Sequence, residues 1–431
     1  MTASPAVDTG LVASLRGLDR DARLLFLMRT LRMFSYGFLA VVLVLYLDAL
    51  GLDALEVGIV LTLTLIGDTL ISLWLTTNAD RLGRRRTLVA GSLLMVVAGL
   101  VFAGTAWLPL LVLAATIGVI SPTGNEVGPF LAIEQASLSQ TVADQRRTAT
   151  FAWYNVAGYV ATATGALGAG LLSQGLLDGG AAPVDAYRAI VIGYAVFGIA
   201  MAVGFSRLGP GIEAPPLEAA TDGIRRRLGL GRSKGIVLRL SLLFSLDAFG
   251  GGFIPQSLMA YWFHIQFGVE PGWLGVIFFV ANLLAAVSSL SAARIAARFG
   301  LINTMVFTHL PSNVLLILVP LMPTLGLAVT VLLLRFVLSQ MDVPTRQSYV
   351  IAVVDPDERS AAAGVTGVAR TTGAAISPSF SSVLMANAGY VALPFFLAGG
   401  CKIVYDLLLY REFRNVRPPE ERLRAEGPKP A

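Results

Sequence analysis

Charged residues are scarce in this chain. Asp, Glu, Lys and Arg together make up 14% of its 431 residues, where a soluble globular chain carries about 25%. That shortage leaves too little polar surface for a water-soluble protein of this length. A single cysteine, Cys401, excludes an intramolecular disulfide. The two histidines, His264 and His309, stand apart in sequence, so no metal cluster and no cofactor are expected. No Gly-x-x-x-x-Gly-Lys-Ser/Thr segment is present, which removes the usual phosphate loop for ATP. Met1–Ala22 holds acidic residues and no apolar core, so no removable signal peptide is expected. No nucleophile–base pair suggests an enzyme.

What the chain does have is apolar length. Hydrophobic residues make up 55% of it and the mean hydropathy is +0.72. Apolar segments fall at about 24–48, 54–77, 87–108, 109–140, 148–172, 186–208, 236–263, 272–293, 303–322, 324–350, 360–386 and 391–410. About 20 apolar residues span a bilayer as a helix, so the reading is an all-α polytopic membrane protein with twelve spans. The net charge of +5 comes from basic residues at segment ends, not from a nucleic-acid patch. Arg81, Arg84, Arg85, Arg86, Arg146, Arg147, Arg207, Arg225–Arg227, Arg294, Arg298 and Arg359 all fall in alternate loops. That asymmetry predicts a multi-pass plasma (inner) membrane protein with both termini cytoplasmic. Residues 1–208 read as one six-helix bundle and 236–410 as a second. Residues 209–235 read as a cytoplasmic linker and 411–431 as a cytoplasmic tail. A monomer is expected.

The halves repeat. Leu31–Phe38 aligns with Leu246–Phe253, which sets Arg32 on Asp247 (247 − 32 = 215). A similar offset sets Gly58 on Gly275, Arg81 on Arg298 and Gly83 on Gly300 (300 − 83 = 217). Asp144 and Asp357 match at 213. Parallel repeats of six spans are a transporter architecture.

Between the second and third segments lies Asn78-Ala79-Asp80-Arg81-Leu82-Gly83-Arg84-Arg85-Arg86, a turn with more charge than orientation requires. It resembles the Gly-x-x-x-Asp-Arg-x-Gly-Arg-Arg loop between helices 2 and 3 of the major facilitator superfamily. Asp80, Arg81, Gly83, Arg84 and Arg85 match, and Thr76 replaces the first glycine. The resemblance implies the major facilitator fold, with two pseudo-symmetric six-helix bundles around a central cavity. It also implies that this loop is a cytoplasmic gate, tied to helices 4 and 11 when the cavity opens outward. In the family an acid at the inner end of helix 4 joins that network. Glu134 is placed there, as the expected partner of Arg81 or Arg84. Gly158, Gly165, Gly168 and Gly170 resemble the helix 5 signature of the family's drug–proton antiporters, with Ala166 in place of its proline.

Charged groups inside a span cost about 2.5–3.5 kcal/mol each on insertion scales and so face a partner or a cavity. Asp68, in the second segment, and Glu126, in the interrupted stretch Ser121–Pro129, are the proton-coupling candidates. Arg32, Tyr36, Asn125, Asp247, Gln256, Arg335, Asp342 and Arg370 are the cavity and substrate candidates. Arg346 reads as structural, and Lys402 with Asp406 as a self-neutralising i,i+4 pair. Because Arg32 and Asp247 are repeat mates, they are expected to approach each other across the cavity in one conformational state, directly or through a substrate. The alternative is that each pairs inside its own bundle, Arg32 with Asp68 or Glu126 and Asp247 with Arg335 or Arg370.

The functional expectation is a secondary transporter of a small solute, working by alternating access and coupled to protons, with antiport efflux implied by the helix 5 resemblance. A proton-coupled importer of an organic anion or sugar is the alternative. A non-transporting membrane enzyme or receptor is a third.

Overall fold

A computed structural model describes residues 18–126, 128–142, 144–213, 231–355 and 358–416. Among them, every regular element is helical and the helices group on the twelve apolar segments. We number the spans 1 to 12 in chain order. Four are interrupted. Span 1 is Arg20–Ala40 with Leu43–Ala49, span 4 is Leu108–Ile117 with Phe130–Thr141, span 7 is Lys234–Gly252 with Gln256–Phe267, and span 10 is Leu325–Ser339 with Asp342–Ala352. The others are span 2 (Ala54–Leu82), span 3 (Arg84–Gly104), span 5 (Asp144–Asp178) and span 6 (Pro183–Ser206). Span 8 (Pro271–Phe299), span 9 (Leu301–Leu318), span 11 (Arg359–Met385) and span 12 (Leu393–Phe413) follow. Among the described residues, nine helices are long and apolar enough to cross a membrane, ten if the bent pair of span 1 is counted. Spans 4 and 11 are missing from that set. Span 4 is too broken, and span 11 is rich in Ser, Thr, Gly and Ala rather than Leu.

Local chemistry places the helix ends. Asp53 and Glu56 form a reciprocal capping box that opens span 2. Pro183, Pro271 and Pro394 stand in the first turns of spans 6, 8 and 12, where a missing N–H costs nothing. Gly83 and Gly300 end spans 2 and 8 with φ of 94° and 86°, a region open to glycine and closed to most L-residues. Those two turns are repeat mates, and together they mark the basic end of the molecule.

Close packing shows the same duplication. A Cβ on Gly37 of span 1 would overlap the carbonyl oxygen of Thr162 in span 5, and one on Gly252 of span 7 would overlap that of Ala374 in span 11. The halves meet away from the basic end. There Ser379 of span 11 donates to Gly58 O at 3.0 Å, Gly170 of span 5 abuts Gly275 of span 8, and Tyr261 donates to Asp48 at 3.1 Å. Toward the basic end span 11 presents an uncovered face, in which Gly364 and Gly367 have no neighbour near their Cβ positions. Arg225–Arg227 and residues 417–431 of the tail lie outside the described residues.

Candidate functional site: two buried charge networks around broken spans

All four interrupted spans break inside their length, and Glu126 and Asp342 stand at the breaks of spans 4 and 10. In span 4 the interruption runs from Gly118 to Pro129. Pro122 and Pro129 lack N–H groups, and Gly124 and Gly128 take φ of 68° and 80°, so this sequence cannot continue as helix. The freed groups find partners. The Ser121 hydroxyl donates to Asn125 O at 2.7 Å. Gly128 N donates to Asp68 Oδ1 at 2.6 Å, and the Ser72 hydroxyl adds a bond of 3.1 Å to the same oxygen. Pro122 O reaches across to the other half and accepts from Ser257 N at 3.1 Å, in the first turn after the break of span 7.

The first half holds an arginine-centred network. Arg29 pairs with Glu126 at 2.5 Å and donates to Tyr154 O at 2.9 Å. Arg32 donates to Glu126 at 2.9 Å and grips Glu134 with both terminal nitrogens, one of them at 2.7 Å. The Tyr154 hydroxyl also donates to Glu134. Arg32 and Glu134 are both 0% exposed, and the Phe130 ring lies 4.8 Å from the Arg32 guanidinium.

The second half holds an aspartate-centred network. Asp247 accepts from Lys402 at 2.7 Å and Arg346 at 3.1 Å, and Arg346 also binds Asp342 at 2.9 Å. His309 Nδ1 lies 2.9 Å from Asp406, Asn313 donates to the other oxygen of Asp406 at 2.9 Å, and His309 Nε2 lies 3.8 Å from Asp247. Arg335 and Arg370, both half-buried, form no ion pair among the described residues, and the Nε of each has no hydrogen-bond partner. Gln256 accepts from Asn282 at 3.3 Å and packs against Gly124. Asn125 is exposed, and Tyr36 is fully buried, away from any open surface.

Several expectations are corrected by this geometry. Glu134 does not join the Asp80 turn: it sits under Arg32, because a fully buried carboxylate needs a fully buried cation. The turn binds the start of the linker instead. Asp80 pairs with Arg84 at 2.8 Å, and Glu213 accepts from the backbone N–H groups of Arg84 and Arg85 at 2.6 and 3.2 Å. Arg84 and Arg85 also reach Ile212 O and Leu208 O. Gly83 makes the turn, while Arg81 is exposed. Arg32 and Asp247 are each satisfied within their own half, and the cations on Asp247 are Lys402 and Arg346 rather than Arg335 or Arg370. Lys402 and Asp406 do not neutralise one another: Lys402 turns to span 7 and Asp406 to span 9. Arg346 is central to its network rather than a helix-end support. Sequence reasoning missed Lys402, His309, Asp406 and Asn313 as one group. The signal was there, because His309 and Asn313 are four apart and Lys402 and Asp406 are four apart, each pair making one face.

Comparison with known proteins agrees with this architecture. The sequence profile of the Major Facilitator Superfamily matches residues 25–378. An uncharacterized membrane protein of Saccharomyces cerevisiae is 31% identical over 426 residues, covering 92% of this chain and 95% of its own length. Among solved structures, a D-xylose–proton symporter superposes with a TM-score of 0.71 at 13% identity, covering 90% of this chain and 97% of its own. The nucleoside transporter NupG gives 0.70 at 13% identity, covering 92% and 100%. The human organic anion transporter MFSD10 gives 0.60 at 17% identity, covering 90% and 99%. With twelve helical segments, duplicated halves, breaks at matching spans of the two halves and a profile match across most of its length, the chain belongs to the Major Facilitator Superfamily.

Proposed function

We propose that the protein carries a small solute across a membrane by alternating access of its two halves, and that Asp68 couples this movement to protons. The observation that carries the coupling is the company Asp68 keeps. Among the described residues, Glu126, Glu134, Asp247 and Asp342 each hold arginine or lysine, and Asp406 holds His309. Asp68 has only an amide and a hydroxyl. A buried carboxylate with neither a cation nor an imidazole beside it is the one whose neutral form costs least. Glu126 bridges Arg29 and Arg32, so protonating it would leave two guanidiniums short of an acceptor, and we assign it to the scaffold.

A charge-assisted hydrogen bond is roughly twice as strong as a neutral one. Protonation of Asp68 therefore loosens its hold on Gly128 N, at the end of the span 4 break. That same break supplies Pro122 O to Ser257 N and seats Gly124 on Gln256 across the seam between the halves. A proton on Asp68 is thus two short steps from the contact that must open when the cavity changes side. The glycines of span 5 carry no direction of transport, because packing accounts for them: Gly158 abuts Arg29, Gly165 abuts Phe34 O and Gly170 abuts span 8. The test is flux into liposomes holding purified protein. Asp68→Asn is expected to abolish solute accumulation driven by a pH gradient while leaving solute exchange. A mutant that still concentrates solute against its gradient would overturn the assignment.

A further inference from the structure

We infer that Arg335 and Arg370 form the seat for an acidic group, and that the solute is an anion. This rests on the transporter reading above and names its substrate class. Guanidinium groups stay charged in proteins, so a guanidinium inside a span needs an acceptor. Arg29, Arg32, Arg346 and Lys402 have theirs. Arg335 and Arg370 do not, although both lie in the field of Asp247 and Asp342. Neither aspartate is free to serve them. Asp247 is taken up by Lys402 and Arg346, and Asp342 by Arg346. Arg346, a like charge, acts on Arg370 as well. Each side chain is half-buried, and the Nε of each is buried without a hydrogen-bond partner. A carboxylate or phosphate supplies the acceptors, in the paired geometry to which a guanidinium is suited.

The charge balance of the spans points the same way. Among the described residues, the six embedded cations are Arg29, Arg32, Arg335, Arg346, Arg370 and Lys402. They match the six embedded carboxylates Asp68, Glu126, Glu134, Asp247, Asp342 and Asp406 one for one when His309 is neutral. The match is uneven in space: the first half carries the surplus carboxylate, Asp68, and the second the surplus guanidinium. A proton on Asp68 leaves one uncompensated positive charge, and a monovalent anion on Arg335 and Arg370 removes it. Proton and anion therefore favour each other's binding, the linkage expected of two solutes that move together.

The experiment is thermal unfolding of the purified full chain in detergent at neutral pH. The probes are benzoate, succinate and inorganic phosphate, against the uncharged counterparts benzamide and succinamide. Any solute that binds the folded state raises its midpoint. At least one anion is expected to raise it, and the uncharged counterparts are not. Arg335→Gln and Arg370→Gln are each expected to weaken the anion response by roughly tenfold to a hundredfold, the effect of one lost charged hydrogen bond. Arg370→Lys, which keeps the charge, is expected to retain part of it and guards against a folding artefact. Asp68→Asn, fixed in the neutral form, is expected to tighten the anion. An unmoved midpoint with every anion, an equal response to the amides, an unchanged response in both glutamine variants, or weaker anion binding in Asp68→Asn would overturn the inference. The transport reading fails separately. Anion binding through the arginines with no solute-dependent proton flux in liposomes would remove that reading and leave the site. Coupled flux without anion binding would remove the site and leave the transporter.

Discussion

Replacing Arg32 by methionine tests the first network most directly. Arg32 is fully buried and its two terminal nitrogens hold Glu134, which is also fully buried. In Arg32→Met, Glu126 keeps Arg29, but Glu134 keeps only the Tyr154 hydroxyl. Removing one member of a buried ion pair costs about 3–5 kcal/mol, because the other charge stays desolvated without compensation. At about 1.4 kcal/mol per factor of ten, the unfolding equilibrium moves roughly a hundredfold to a few thousandfold. Replacing both partners of a buried pair with apolar residues of similar volume is close to neutral in other proteins. The double variant Arg32→Met with Glu134→Met is therefore expected to lose less than half the sum of the two single losses. Denaturant titration of the protein in micelles, followed by tryptophan fluorescence, measures all three. The partly exposed pair Arg188–Asp185 is the control, where Arg188→Met is expected to cost no more than about 1 kcal/mol. Additive losses in the double variant, or a single variant no worse than the control, would refute the argument that this pair is a coupled buried unit.

Two other perturbations follow from the packing and the turns. Gly37→Ala is expected to destabilise the protein strongly, since its Cβ would meet the backbone of Thr162, whereas Gly175→Ala, in open space, is expected to be neutral or mildly stabilising; unfolding midpoints of the two variants decide it. In the turn before span 11, burial pushes the Glu358 carboxyl up, but the amides of Ser233, Gly231 and Arg232 outweigh it and hold it below the ordinary value. A lowered folded-state value gives stability that is present above the unfolded value and lost as pH falls through the folded one. The stability gap between wild type and Glu358→Gln is therefore expected to be full at pH 7 and to shrink below the ordinary glutamate range of about 4.3, and a gap that is flat from pH 7 to pH 3 would contradict it.

The fold was legible because span length and loop charge are properties of single segments. Twelve apolar runs and the glycine turns at Gly83 and Gly300 place the helices without knowledge of their neighbours. Span 4 was legible in part. Two prolines and two glycines between Ser121 and Pro129 mark an interruption, but not that Asp68 would cap Gly128 from another span. The site was harder to read, because a charged residue's partner is set by which helix faces it. Glu134 looked close to the Asp80 turn in sequence depth, yet the turn is met by Glu213 from the linker, a residue with no motif around it. His309 looked isolated for the same reason: its partner, Asp406, lies 97 residues away.

The clearest case is Arg32 and Asp247. Their alignment by repeat suggested attraction across the cavity, since equal positions carry opposite charge. The structure gives each a partner on the fourth span of its own half: Glu134 for Arg32 and Arg346 for Asp247. These partners are also repeat mates, at 346 − 134 = 212. That offset is the one that relates Thr162 to Ala374, while 215 relates Gly37 to Gly252, the glycines that pack on them. The duplicated scaffold therefore keeps a buried ion pair in the same place in both halves and inverts its polarity. Packing fixes the position of the pair, since either orientation fills the same gap between the spans. Its sign is free of that constraint and answers to the field instead. Two copies of one polarity would set like charges at equal depth on either side of the pseudo-two-fold axis, where the low dielectric of the spans leaves repulsion poorly screened. Inverting one copy removes that repulsion. It also adds Arg346 to the charges that act on Arg370 in the second half, which is the ground for the anion site proposed above.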